Sequence, residues 1–223
     1  MSTTPKAVDL VERLADLRGR KPVGNALLDL LHSGALTVDH LRGLVQVELT
    51  VHQGELVAYG TGTARFPRRP NVHFMTQLIE VVDHATPKLV ECARAFGLGE
   101  EELRRRVPDP ALHGFNGYLS WVSSNESQAS LALALHTDMS VYFPEGLALA
   151  RGVKGSDLEV PEEFFAYYGG ESPDELMSLA LEVVDDGLAR GDDPDDAVFH
   201  ARMLEEYVGQ LWRSAAGIRS RTD

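Results

Sequence analysis

The run Ala-Ser-Leu-Ala-Leu-Ala-Leu from Ala129 to Leu135 is apolar at every position but Ser130. A helix with this pattern is apolar all round and belongs in the centre of a bundle rather than on its surface. Asp138 and Tyr142 continue the segment at i and i+4, on the face that also carries Leu131 and Leu135. A carboxylate on such a face costs free energy unless a donor or a cation meets it, which marks Asp138 as a pocket residue. The plainer alternative is a capping or interface aspartate near a helix end.

The rest of the chain reads as helices around that segment. Thr4-Pro5 has the form of a cap and first helical position, followed by Val8, Val11, Leu14 and Leu17 at helical spacing. Asn25 to Leu31 predicts a short second helix closed by Gly34, and Thr37 starts a long third one to about Tyr59. Its core stripe begins with Leu41, Leu44 and Val45, then carries Glu48, His52, Glu55 and Tyr59 where aliphatic residues would continue. A stripe that turns from apolar to polar either lines a cavity or leaves the core. Thr61 to Asn71, rich in proline and arginine, reads as a surface connection. The next helix places Gln77, Glu80 and His84 on one face, breaks or restarts at Thr86-Pro87 and stops at Gly97. Short helices are expected over Glu100–Arg106 and Glu162–Tyr168, with further starts at Asp109-Pro110, Ser172-Pro173 and Asp193-Pro194. The last helix carries Val198, Met203, Tyr207, Leu211 and Trp212. No segment alternates as a strand would, so the expectation is an all-α fold in a single domain over residues 1–223.

Composition narrows the function. A chain of 223 residues with 43% hydrophobic content can bury one sizeable core. Its formal net charge of −13 argues against a nucleic-acid surface, and its short basic runs read as solvated. One cysteine, Cys92, excludes an internal disulfide and thiol-rich metal sites and fits a reducing, cytoplasmic setting. No run is long and apolar enough for a membrane span, so no membrane partner is expected. The sequence also lacks a glycine-rich phosphate loop, a His-Glu-x-x-His pair and a nucleophile elbow. Glu48, His52 and Glu55 offer three candidate ligands on one helical face, a spacing common by chance, and no metal or cofactor is expected.

The order of these pieces resembles the TenA/thiaminase II family. The run Asn25 to Leu41, an apolar helix, a Gly-x-Leu turn and the start of a long helix, looks like that family's opening. Phe96 to Leu103, Pro110 to Leu119, Tyr142 to Gly146 and Leu211 to Ala215 follow in family order, so the resemblance covers nearly the whole chain. It implies the heme-oxygenase-like (TenA-like) helical bundle. Asp138 falls where the family keeps its nucleophilic cysteine, and Tyr142 where it keeps a tyrosine one turn later. Tyr118 and Tyr168 match pocket tyrosines of the family. The family's late glutamate falls on Val208, with Glu205 and Glu206 close by, and its pyrimidine-binding aspartate falls on Val47, beside Glu48. The diiron oxidases of the same superfamily keep six ligands, matched here by Gln77, His84, Asp138, Gly170, Asp174 and Met177, only three of which can serve.

The resulting expectation is a diverged TenA-like enzyme without the catalytic cysteine. It would act on a small nitrogen-containing metabolite, in specialised metabolism, by carboxylate and tyrosine acid–base or covalent chemistry. Asp138, Tyr142 and His84 are the expected catalytic groups. Glu48, His52, Tyr118, Tyr168, Gln77 and Glu206 are expected around the substrate. A metal-dependent or cofactor-free oxidase and a non-catalytic ligand-binding or regulatory protein are the alternatives. A homodimer or homotetramer is expected from the resemblance and from the aromatic residues near the C-terminal helices.

Overall fold

The computed structural model describes residues 6–104, 108–170 and 173–217. Among these residues there are ten helices and no strand: α1 Ala7–Arg20, α2 Ala26–His32, α3 Val38–Arg65, α4 Asn71–Ala95, α5 Glu100–Arg104, α6 Pro110–Asn125, α7 Gln128–Lys154, α8 Glu162–Tyr168, α9 Asp174–Ala189 and α10 Pro194–Ala215. Their starts follow from local chemistry. The Asn25 side chain accepts from the amides of Leu27 and Leu28, Asp109 from Ala111, Ser127 from Ser130, and Asp193 from Asp195 and Asp196. Each satisfies amides that a helix's first turn leaves without intrahelical partners. At the other end of α2, Gly34 takes a positive φ of 71°, which a residue with a Cβ adopts only at a cost.

The apolar run is where its pattern places it. Every residue from Gln128 to Thr137 is buried, and α7 packs against α9 and α10. The second layer is α3 against α4 and α6. These two long helices approach closely at Gly62, where a Cβ would come within 2.8 Å of Leu131 and 3.2 Å of Met75. Along most of their length α3 and α7 are not packed on each other, and the space between them is occupied by the cavity described below.

Several boundaries differ from the sequence expectation. The polar stretch after Tyr59 is still helical to Arg65, with Gly62 buried against Leu131 and Met75 and the Thr61 and Thr63 hydroxyls bonded to carbonyls of the preceding turn. The connection is therefore only residues 66–70. Pro87 neither breaks nor restarts α4, and Pro144 does not end α7, which runs on to Lys154. Proline removes one backbone donor, and core contacts on either side, Val82 and Leu89 about Pro87 and Val141 and Leu149 about Pro144, hold the helices together across that loss. In α1 the buried stripe is Leu10 and Leu14, while Val8 is 51% exposed, so the expected Val8–Val11 stripe is rotated from the true one. Thr4, Pro5 and Ser172 lie outside the described residues, as do residues 105–106 at the end of the expected fifth helix.

Candidate functional site

A cavity of about 410 Å³ lies among α3, α4, α7 and α8, closed on its apolar side by Phe115 of α6, Leu176 of α9 and Leu211 of α10. The long helix α3 sends Glu48, His52, Glu55 and Tyr59 into it from one stripe, and α7 sends Asp138 and Tyr142. The short aromatic helix α8 adds Tyr167 and Tyr168. Exposed residues of α4, Val81, His84 and Lys88, form its mouth. Tyr142 is held from behind by Trp212, whose ring stacks on it at 5.1 Å and 6°. Tyr168 is set by Phe164 at 4.6 Å and Tyr167 at 4.7 Å.

Three carboxyl groups share this space, and its lining contains neither an arginine nor any lysine but Lys88. Burial pushes Glu48 up to about 8, with Glu55 and Asp138 adding repulsion and Tyr142 opposing it. Burial likewise raises Glu55 to about 7, opposed by the Tyr59 hydroxyl. Asp138 stands well above the usual carboxylate range, first through burial and then through Glu55. Asp138 and Glu55 retain some surface as whole residues because they face the cavity, while protein encloses their carboxyl groups. The three groups therefore form a coupled set in which Glu48 and Glu55 titrate near neutral pH and Asp138 is raised with them. The phenols of Tyr59, Tyr142, Tyr167 and Tyr168 are all raised by burial and by these acids, so they remain protonated.

Two of those phenols are unsatisfied. The hydroxyls of Tyr142 and Tyr168 are buried and have no hydrogen-bond partner. Glu48 interacts electrostatically with both but reaches neither at hydrogen-bond geometry. Buried polar groups without partners cost free energy, so two of them facing one cavity point to a ligand that would complete them.

By contrast, His52 is fully committed. The Thr86 hydroxyl donates to the Val82 carbonyl at 2.7 Å, so its oxygen accepts from His52 Nδ1–H at 2.9 Å. That fixes the tautomer, leaving Nε2 to accept from the Tyr167 hydroxyl at 2.8 Å. Burial lowers His52 to about 4, which keeps the ring neutral and the chain of donors directional. Thr86, which looks in the sequence like part of a helix break, thus orients Tyr167 through His52.

The structure brings together Glu48, His52, Asp138, Tyr142 and Tyr168, with His84 at the exposed mouth. It places three expected residues elsewhere. Tyr118 hydrogen-bonds His200 Nδ1 at 2.7 Å and stacks on Tyr207, because the α6 face that carries it turns toward α10. Gln77 lies near His73 of its own helix, at 3.5 Å, outside the cavity lining. Glu206 is held by Lys21 at 3.0 Å and Arg202 at 2.6 Å, on the part of α10 that meets the N-terminal segment. Sequence reasoning put Glu55 and Tyr59 on the polar stripe without assigning them a role, and it passed over Tyr167. The Tyr167-Tyr168 pair was the available signal. Among the described residues no group of three or more His, Cys, Asp or Glu side chains is arranged to hold a metal ion. Cys92 is buried on α4, is not part of the lining, and its thiol is pushed up to about 12 by burial and then by Glu163.

No protein-family model and no curated protein matches the chain. Solved structures do. A TenA homologue from Pseudomonas syringae pv. tomato superposes with a TM-score of 0.74 at 14% identity, covering 97% of this chain and 98% of its own. A TenA homologue from Pyrococcus furiosus gives 0.74 at 14% identity over 92% and 99% of the two chains. A third, from P. horikoshii OT3, gives 0.75 at 14% identity over 95% and 98%. The fold is therefore the TenA-like helical bundle over essentially the full length of each chain.

Proposed function

We propose that this protein is an enzyme acting on a small, nitrogen-containing metabolite by acid–base chemistry of cavity carboxyl and tyrosine groups. The observation that carries the reading is the meeting of Glu48, Glu55 and Asp138 in one enclosed space, with two of their acid strengths brought near neutral pH. A general acid or base works best when its pKa lies near the operating pH, and a stability-driven core has no use for three unpaired acids. Asp138, with Tyr142 one turn later on α7, is the central acid–base group, and the raised phenols serve as donors to the substrate. The TenA homologues share the helical bundle that holds these groups. The cysteine chemistry of the thiaminase II family would need a thiol in the cavity, and Cys92 does not line it.

The test uses the purified protein and a small-molecule extract followed by untargeted mass spectrometry. One or a few compounds should be consumed by the native protein, with the rate falling about a hundredfold in Asp138→Asn, the scale of losing a general acid or base. Retention of a compound by the native protein, with no turnover and with equal affinity in Asp138→Asn, would replace the enzyme by a binding protein.

A further inference from the structure

Resting on that reading, we infer that the cavity takes its ligand as an organic ammonium ion, a small amine with an apolar body, and releases a carboxyl proton to solvent as the ammonium enters. The geometry supplies both halves of such a ligand's environment. Leu78, Val82, Phe115, Met139, Phe143 and Leu211 offer an apolar wall. Opposite it, Glu48 and Glu55 of α3 and Asp138 of α7 face one another closely enough for each to feel another's charge. An ammonium group has three N–H donors and no acceptor, which suits a set of carboxylates and no other polar feature of the cavity. The aromatic rings of Tyr59, Tyr142, Tyr167 and Tyr168 line the same space, and rings of this kind attract cations. The buried hydroxyl oxygens of Tyr142 and Tyr168, each without a hydrogen-bond partner, can accept further ammonium N–H groups.

Every other titratable group facing the cavity is consistent with a cation as guest. His52 is neutral and spends both ring nitrogens on Thr86 and Tyr167. His84 and Lys88 of α4 stand at the exposed mouth rather than among the acids. From α6, α9 and α10 only apolar side chains reach the lining. The empty cavity therefore contains no internal counter-charge, and its acids hold protons. When an ammonium binds, one carboxyl O–H gives its proton to water, and the carboxylate left behind accepts an ammonium N–H. The amine arrives already protonated, so the proton lost to the buffer comes from the protein. With Glu48 near 8 and Glu55 near 7, the release is greatest below pH 7 and disappears above about pH 9, and affinity rises with pH across that interval.

The experiment is isothermal titration calorimetry with benzylamine as the cationic probe and benzyl alcohol as its neutral counterpart. Titrations at pH 6.5 and pH 9 in buffers of different ionisation heat give the number of protons released. The expected result is benzylamine binding at least tenfold tighter than benzyl alcohol at pH 6.5, with close to one proton released there, and at pH 9, where part of the benzylamine is free base and takes up a proton to bind, the release should vanish or reverse. In the double variant Glu48→Gln/Glu55→Gln, which keeps shape and neutrality, the preference for the amine should shrink at least tenfold and the released proton should fall well below one. Benzyl alcohol binding as tightly as benzylamine, or benzylamine binding without proton release at pH 6.5, would overturn the inference. Either result leaves the acid–base enzyme reading standing, whereas ammonium binding with no turnover of any amine would sink the enzyme reading and keep this one.

Discussion

Two regions of this molecule bury carboxylates, and they do so on opposite terms. On α10, Glu205 is 0% exposed and is met by Arg18 at 2.7 Å and Arg202 at 3.1 Å, tying α1 to α10. In the cavity, Glu48, Glu55 and Asp138 have no cation among them and meet tyrosines and one another instead. A buried charge is tolerated when it is paired, and when it is not, the group keeps its proton. The first arrangement holds the fold together. The second weakens it and leaves reactive protons facing an enclosed volume, a pattern that marks a site for chemistry rather than for stability.

The sharpest way to break this contrast is to remove an acid from each region. Glu205→Ala takes the carboxylate from Arg18, which is about a third exposed, and from Arg202, which keeps Glu206, and should destabilise the protein by about 2 kcal/mol in urea unfolding. Asp138→Asn removes an unpaired acid and should leave stability unchanged or slightly improved. Equal losses in both variants would erase the distinction.

A second measurement sharpens it through pH. Glu48 keeps its proton in the folded state up to about 8 but loses it near 4.5 when unfolded, so its contribution to stability falls as pH rises between those values. His52 works in the other direction. Its folded value near 4 lies below the ordinary 6.5, so its contribution is complete above 6.5 and is lost as pH falls toward 4. Above pH 6.5 the Glu48 effect therefore stands clear of His52. Between pH 6.5 and 8, Glu48→Gln should gain about 2 kcal/mol relative to the native protein, since one proton contributes about 1.4 kcal/mol per pH unit. Parallel melting curves across that range would show that Glu48 is already ionised. The smallest effect is that of Tyr167→Phe, which leaves His52 Nε2 without its donor and should cost about 1 kcal/mol at pH 7.5, read by thermal melting.

How much of this was legible in the sequence follows the range of the interactions involved. Helix starts at Asp109 and Asp193 depend on residues a few positions apart, and their amides are capped as the sequence implies. The apolar run after Ser127 declares its own burial. The polar stripe Glu48–His52–Glu55–Tyr59 and the Asp138–Tyr142 pair could also be read, because helical spacing fixes which side chains share a face. Which neighbour that face meets is not local information. Tyr118 turns toward His200 and Tyr207, and Glu206 toward Lys21 and Arg202, through packing of helices distant in sequence. Tyr167 enters the site only because α8 docks beside α4, where His52 and Thr86 wait for its hydroxyl. Pro87 reads as a break by itself and lies within a continuous helix anchored in the core by Val82 and Leu89 on either side.

The central claim is that burial makes the cavity acids hold their protons far above the ordinary carboxylate range, and carbon-13 NMR of the side-chain carboxyls, titrated from pH 4 to pH 10, tests it most directly. The account predicts at least two glutamate carboxyls titrating between about 6.5 and 8.5, with the higher one absent in Glu48→Gln and the lower one absent in Glu55→Gln. If every glutamate carboxyl titrates below pH 5, the cavity is a set of ordinary solvated carboxylates and the account is wrong.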